Sequence, residues 1–234
     1  MLCHKITPPG SNDLDTLKLK DILKKTFNNN KFLICQIGAN DGISADPIYD
    51  FIKENINVEA HLIEPQLEAF QLLKKNYQDI IDQKRIYFYN YAISNKNEKI
   101  KLYKNTAENG TDGHSSLLIR DLDIVNGIEV AKYTENDYEL VDSLTVKKLK
   151  NKIKKNIDVL VIDTEGYDIE IVKMFINSNI YPKVIYFEKP GITGNIPGEE
   201  ILLSTSAEKY IYEKLEENNY IIEKLEDNWI CIKR

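Results

Sequence analysis

Two glycines and one acid set out the first candidate site. The apolar run Phe32–Ile37 breaks into Gly38-Ala39-Asn40-Asp41-Gly42, and a second apolar segment, His61-Leu62-Ile63, ends on Glu64. A buried parallel strand that stops at a glycine turn lets a ligand approach the backbone closely. An acid at the end of the next strand can accept both hydroxyls of a ribose, because an ionised carboxylate presents two oxygens in a planar fork. The pairing points to a nucleotide-like cofactor. The spacing Gly38-x-x-x-Gly42 lacks the G-x-G-x-x-G of a dinucleotide site. Without the middle glycine a pyrophosphate packs poorly, so a ligand without phosphates, such as S-adenosylmethionine, suits the turn better. The same gap counts against an NAD-dependent oxidoreductase.

A second set of acids follows later. Asp163, Glu165 and Asp168 come directly after the apolar run Ile157–Ile162, and Glu188 follows Val184–Phe187. Strand carboxyl ends line the binding crevice of open α/β sheets, so all four are expected near one crevice.

The elements that must position these residues are legible from periodicity. Leu14, Leu17, Leu19, Ile22, Leu23 and Phe27 give a helical stripe, closed by Asn28-Asn29-Asn30. Strands are expected at Phe32–Ile37, Val58–Ile63, Ile86–Tyr91, Ile157–Ile162 and Val184–Phe187. Asp46-Pro47 reads as an N-cap followed by proline at the first helical position, opening a helix with Ile48, Phe51 and Ile52. Pro65 opens another helix through Leu67, Phe70, Leu72 and Leu73, and Thr145 caps a short basic one. Thr205-x-x-Glu208 is a capping box, and Tyr220–Leu225 with Trp229–Ile232 reads as a terminal hairpin around Asp227-Asn228. Lys99–Tyr103 is expected as a strand on the sheet edge. Residues 104–138 and 191–204 are expected as substrate loops, and 1–30 as a helical lead-in. The fold class is α/β: a doubly wound, mostly parallel seven-stranded sheet with a C-terminal antiparallel hairpin, in one domain spanning 1–234.

The composition is that of an ordinary globular chain, 42% apolar and 29% charged over 234 residues. A net charge of −6 weighs against general nucleic-acid binding, which needs a basic surface. Lys147, Lys148, Lys150, Lys152, Lys154 and Lys155 are read as a solvated helix face. Cys3, Cys35 and Cys231 match no zinc or disulfide spacing, so a reducing, cytoplasmic setting is expected, with Cys35 and Cys231 as buried core residues. No signal peptide and no membrane span is legible. The sequence says nothing about oligomeric state.

An ordered set of motifs resembles the FkbM-type methyltransferases: Ile37-Gly38-Ala39-Asn40-Asp41-Gly42, Ile63-Glu64-Pro65, Ala92-Ile93-Ser94, Ser115-Ser116-Leu117 and Ile162-Asp163-Thr164-Glu165-Gly166-Tyr167-Asp168. The resemblance runs from about Phe32 to Glu188. It implies a class I methyltransferase fold and transfer of a methyl group from S-adenosylmethionine to oxygen, on a carbohydrate or other small-molecule hydroxyl.

The resemblance also distributes roles. Gln36 stands where many relatives of the fold place an acid near the cofactor's amino group, and the departure is expected to weaken that contact. Asn40 and Asp41 could hold the methionine end, although Asp41 could equally bond its own backbone. Glu64 and Pro65 fall to the ribose, and Asn90, Tyr91 and Ala92 to adenine, with Asn90 as a plain strand-end residue the alternative. Asp163, Glu165, Glu188 and His114 are candidate catalytic groups, since the acceptor hydroxyl must be placed in line with the methyl group and relieved of its proton. Asp163 and Glu188 could instead hold Mg²⁺, which prefers oxygen ligands. Ser115, Ser116 and Asp168 are candidate substrate contacts, Asp168 alternatively serving its helix N-terminus. His61 is expected in the core and His4 in the lead-in. The rival reading is a non-catalytic nucleoside- or nucleotide-binding domain on the same fold.

Overall fold

The computed structural model describes residues 13–81, 84–105, 115–117, 120–125, 128–188 and 205–234. In chain order, α1 (Leu14–Phe27) leads to β1 (Phe32–Ile37), α2 (Tyr49–Glu54), β2 (Val58–Ile63), α3 (Leu67–Asn76), the single turn α4 (Gln78–Ile81) and β3 (Ile86–Tyr89). A β-rich stretch follows: β4 (Ala92–Ile93), β5 (Lys99–Asn105), β6 (Ser115–Ser116), β7 (Arg120–Val125) and β8 (Ile128–Leu144). The chain returns through α5 (Val146–Ile153), β9 (Val159–Ile162), α6 (Asp168–Asn177), β10 (Val184–Glu188), α7 (Thr205–Glu217), β11 (Tyr220–Lys224) and β12 (Asn228–Lys233).

The main sheet has seven strands in the order β11-β12-β10-β9-β1-β2-β3. β12 is antiparallel to both its neighbours, β10 and β11, and every other pairing is parallel. This is the doubly wound sheet with a terminal hairpin that the apolar runs predict. β1 is buried at every position, as a strand covered on both faces requires. Its alternation splits the core: Leu33, Cys35 and Ile37 pack with Leu149 of α5, Phe175 of α6 and Leu215 of α7, while Phe32 and Ile34 pack with Leu23 of α1, Ile52 of α2 and Leu73 of α3. Cys35 and Cys231 are free and buried, and His61 is buried against the rings of Tyr87 and Tyr89.

α1 and α5 carry side-chain caps, and the sequence predicts the one on α5. Asp13 accepts from Thr16 N at the start of α1, and Thr145 accepts from Lys148 N at the start of α5. In α5 Val146, Leu149 and Ile153 face inward and Lys147, Lys148 and Lys152 are exposed, so the basic run is a helix's outer face. Leu14 and Leu17, by contrast, are exposed rather than part of the buried stripe of α1.

Two expectations are corrected. Residues 104–138 are largely strand rather than loop: β5 pairs antiparallel with β6 and β8, and β7 pairs antiparallel with β8. Lys99–Tyr103 belongs to this second sheet, not to the edge of the first. The physical reason lies in β8. Glu135, Asn136, Asp137 and Tyr138 are all exposed, so that part of the strand has no core-facing side and no period-2 pattern to betray it. Residues 191–204 and the first part of the lead-in lie outside the described residues. Among the described residues no helix is long and apolar enough to cross a membrane.

Candidate active site

The strand order reverses beside β1: the chain builds β2 and β3 on one side of it and then β9 and β10 on the other. Ligands of open α/β sheets bind outside the strand carboxyl ends at such a point. A cavity of about 630 Å³ opens there, lined from the ends of β1, β2 and β9, from α3, and from residues of β4, β5 and β6.

The turn after β1 is held by backbone contact. Gly38 N and Ala39 N both donate to Ile63 O at 3.0 Å. Gly38 has φ +82, and a Cβ there would lie 1.7 Å from the carbonyl oxygen of Asp163. The glycine thus lets the loop after β9 close against the turn. Gly42, expected beside the cofactor, does not line the cavity. Its missing Cβ makes room for Leu73 and Tyr77, so it serves the packing of α3 and the turn that follows it.

Both oxygens of Glu64, on the cavity wall, are held by backbone N–H groups. Its Oε2 accepts from Asn40 N at 2.9 Å and its Oε1 from Gln66 N at 2.8 Å. Each oxygen keeps capacity for a further donor, so the fork can still receive two hydroxyls. Burial pushes its pKa up to about 7, against the two backbone hydrogen bonds, and Glu139 adds to the rise. Asn90 is not among the lining residues: its Nδ2 donates to Glu64 O and Pro65 O, both at 2.9 Å, and so clamps the turn after β2. Pro65, Tyr91 and Ala92 do line the cavity, joined by Ala69, Leu72, Ile93, Leu102 and Leu117 in a largely apolar wall. A flat heteroaromatic ring fits such a wall.

Asp41 lines the cavity but spends much of its side chain locally. Oδ1 accepts from Ile43 N and Ser44 N, and Oδ2 from Ser44 Oγ. Asp46 and Pro47, expected as N-cap and first helical residue, lie just before the helix instead: α2 begins at Tyr49 with Ile48 at its N-cap, and Asp46 Oδ1 accepts from Ile48 N and Tyr49 N. Asp46 also lines the cavity beside Gln36. Its cavity-facing position depends on the path of the loop after Gly42, which nothing in the sequence pattern announces.

On the other side, Asp163 is exposed and lines the cavity with Thr164, Glu165 and Tyr167. Asp163 N donates to Ile37 O at 3.0 Å, which fixes the strand end. Glu165 sits in left-handed backbone, φ 55, and its carbonyl accepts from Ser116 Oγ at 2.8 Å. Ser116 is therefore turned onto that loop, while Ser115 lines the cavity with a buried hydroxyl that has no protein partner. Asp168 does not line the cavity. It is buried and latches two strand ends, accepting from Thr164 Oγ1 at 2.8 Å, Thr164 N at 3.3 Å and Glu188 N at 3.4 Å. Burial pushes its pKa up. Glu188 is half-buried on the strand next to Asp163 but is not among the lining residues. His114 lies outside the described residues. Among the described residues no three His, Cys, Asp or Glu side chains gather as a metal cluster, so Asp163 and Glu188 gain no third ligand there.

The cavity's charge is one-sided. Its described lining holds Asp41, Asp46, Glu64, Glu68, Asp163 and Glu165, and no Lys, Arg or His. A phosphate-bearing ligand would meet repulsion in such a site, whereas a sulfonium ligand carrying an ammonium and a ribose meets complementary groups.

The sheet order and the cavity at its switch point are those of a class I S-adenosylmethionine-dependent methyltransferase. The sequence matches the Methyltransferase FkbM domain over residues 36–222, and the chain belongs to that family. Its fold is similar to that of a Staphylococcus aureus protein described as a caffeoyl-CoA O-methyltransferase, at 14% identity and TM-score 0.50, over 97% of this chain and 86% of that one. The magnesium protoporphyrin IX methyltransferase of Synechocystis PCC 6803, solved with bound S-adenosylmethionine, aligns at 7% identity and TM-score 0.49, over 94% of this chain and 78% of that one. At 14% identity the likeness to the Staphylococcus aureus protein is one of fold alone. No curated protein matches the sequence.

Proposed function

We propose that this chain transfers a methyl group from S-adenosylmethionine to a hydroxyl oxygen of an uncharged small molecule, a carbohydrate being the leading class. The observation that carries the reading is the lining of carboxylates without a cation among the described residues. It favours a cationic cofactor and a neutral acceptor over a phosphorylated one.

When bound, the cofactor supplies an electrophilic methyl group on its sulfonium. Glu64 receives the ribose hydroxyls on the two oxygens that Asn40 N and Gln66 N hold in place. Tyr91, Ala92 and the apolar wall cover the adenine. The backbone from Gly38 to Asn40 floors the site, with Asp41 stiffening the loop beyond. Asp163 orients the acceptor hydroxyl and accepts its proton, a role that suits an exposed carboxylate at the mouth of the cavity. Glu165 and Ser115 line the acceptor side, while Asp168, Ser116 and Asn90 position the loops rather than touch the ligand. His114 and Glu188 remain candidates for the proton or the acceptor, and residues 191–204 for the acceptor pocket. Asp163 lines the cavity and Glu188 does not, so in this reading Asp163 works as a base without a resident cation. The whole chain acts as one cytoplasmic, methyltransferase-like domain in this reading.

The test is transfer of labelled methyl groups to a panel of neutral glycosides, amines and sugar phosphates, with and without excess EDTA. Label on a hydroxyl of a neutral acceptor, unaffected by EDTA, is expected. Transfer confined to phosphorylated acceptors or to nitrogen, or abolished by EDTA and restored by Mg²⁺, would contradict it.

A further inference from the structure

The loop between Gly42 and α2 brings to the cavity a carboxylate that its role as a cap does not explain. Asp46 is 5% exposed, and three donors hold it: Ile48 N at 2.8 Å and Tyr49 N at 2.7 Å on Oδ1, and Gln36 Nε2 at 2.8 Å on Oδ2. None of these donors carries a charge. No Lys, Arg or His lines the cavity among the described residues, so the carboxylate has no countercharge there. Burial accordingly pushes its pKa up to about 6, against its three hydrogen bonds and with a smaller push from Asp41.

Gln36 completes the arrangement. Its amide must turn the NH₂ end toward the Asp46 carboxylate, because a carboxylate only accepts. That leaves Oε1 as the opposite end. Oε1 is buried, has no donor, and belongs to a residue that lines the cavity. A buried carbonyl oxygen without a donor costs roughly 1–3 kcal/mol unless a ligand supplies one. The β1 end of the cavity is therefore lined by one residue with an uncompensated negative charge and by another whose buried amide oxygen has no donor. A hydroxyl would answer the acceptor and leave the charge. An ammonium answers both, since it carries several donors and a positive charge.

We infer that Asp46 and the side-chain carbonyl of Gln36 together receive the α-ammonium of the cofactor's amino-acid end. The inference rests on the cofactor reading above, in which Glu64 takes the ribose and leaves the β1 side to the amino acid. It also accounts for glutamine at position 36. A glutamate there would set a second carboxylate against Asp46 and force a proton onto one of them. Glutamine instead positions Asp46, and the charge expected at the end of β1 comes from the loop.

The experiment compares two ligands. Adenosylhomocysteine and its analogue lacking only the α-amino group are titrated calorimetrically into the wild-type protein and into Asp46→Asn. The substituted amide keeps an oxygen for the helix cap, and the fold of the variant is checked by its thermal transition. Wild type should bind adenosylhomocysteine at least ~10-fold more tightly than the analogue, the scale of a charge-assisted hydrogen bond. In Asp46→Asn the ratio should fall to within ~3-fold, through loss on adenosylhomocysteine alone. A wild-type ratio near one overturns the inference without any variant, and so does a ratio that Asp46→Asn leaves unchanged. Should adenosylhomocysteine fail to bind the wild type at all, the cofactor reading falls first and takes this inference with it.

Discussion

The two sides of the cavity are built differently. On the β1–β2 side every lining carboxylate of the loops is fixed by backbone N–H groups: Glu64 by Asn40 and Gln66, Asp41 by Ile43 and Ser44, Asp46 by Ile48 and Tyr49. On the β9–β10 side the well-fixed carboxylate, Asp168, faces away from the cavity, while Asp163 and Glu165 line it, one exposed and the other half-buried. The first side has the rigidity that recognition of one invariant ligand needs, because little ordering remains to be done on binding. The second holds its loop from behind through the buried Asp168, with Asp163 and Glu165 on the cavity wall.

The largest expected effect strikes the contact between the two sides. Gly38→Ala forces a Cβ to within 1.7 Å of Asp163 O in a left-handed backbone. A loss of ~3 kcal/mol or more in stability is expected, read by thermal or urea unfolding. Gly42→Ala should cost less, since its Cβ meets the side chains of Leu73 and Tyr77 rather than backbone. Equal effects would mean that the turn is not the hinge between the two sides.

The next is a pH effect on the fixed side. Glu64 has its pKa raised from 4.5 to about 7. The folded state then binds more protons than the unfolded state between those values, so stability falls as pH rises through the window and levels off above it. Wild type should lose on the order of 3 kcal/mol relative to Glu64→Gln between about pH 4.5 and 7, measured by urea unfolding at each pH. The lost backbone acceptor in the variant adds a constant offset, not a slope. Parallel pH profiles would show that Glu64 is not desolvated.

On the open side Asp163→Asn should lower turnover by ~10²-fold and leave the Kd for adenosylhomocysteine nearly unchanged. A matching loss of cofactor affinity would erase the division between the two sides.

Sequence made one side of this comparison more legible than the other. The runs ending at Ile37, Ile63 and Ile162 carry their own signal, because a strand covered on both faces must be largely apolar, with Gln36, Glu59 and His61 the polar members here. Glu64 and Asp163 could be named because they follow such runs directly. Asn90 and Asp168 sit at equally prominent strand and helix ends, yet their side chains turn to backbone partners, a choice that spacing does not encode. Asp46 shows the reverse. Its cap signature was plain, while its approach to Gln36 depends on a loop ten residues long in sequence separation. The second sheet escaped because much of β8 is exposed and polar.

The central claim is that the fork at the end of β2 holds the ribose of the cofactor. Calorimetric titration of adenosylhomocysteine into wild type and Glu64→Ala, above pH 7 where Glu64 is ionised, tests it directly. A loss of ~1.5–3 kcal/mol in binding is expected, the range for a hydrogen bond to a charged group. Equal affinity in a folded variant would contradict the account.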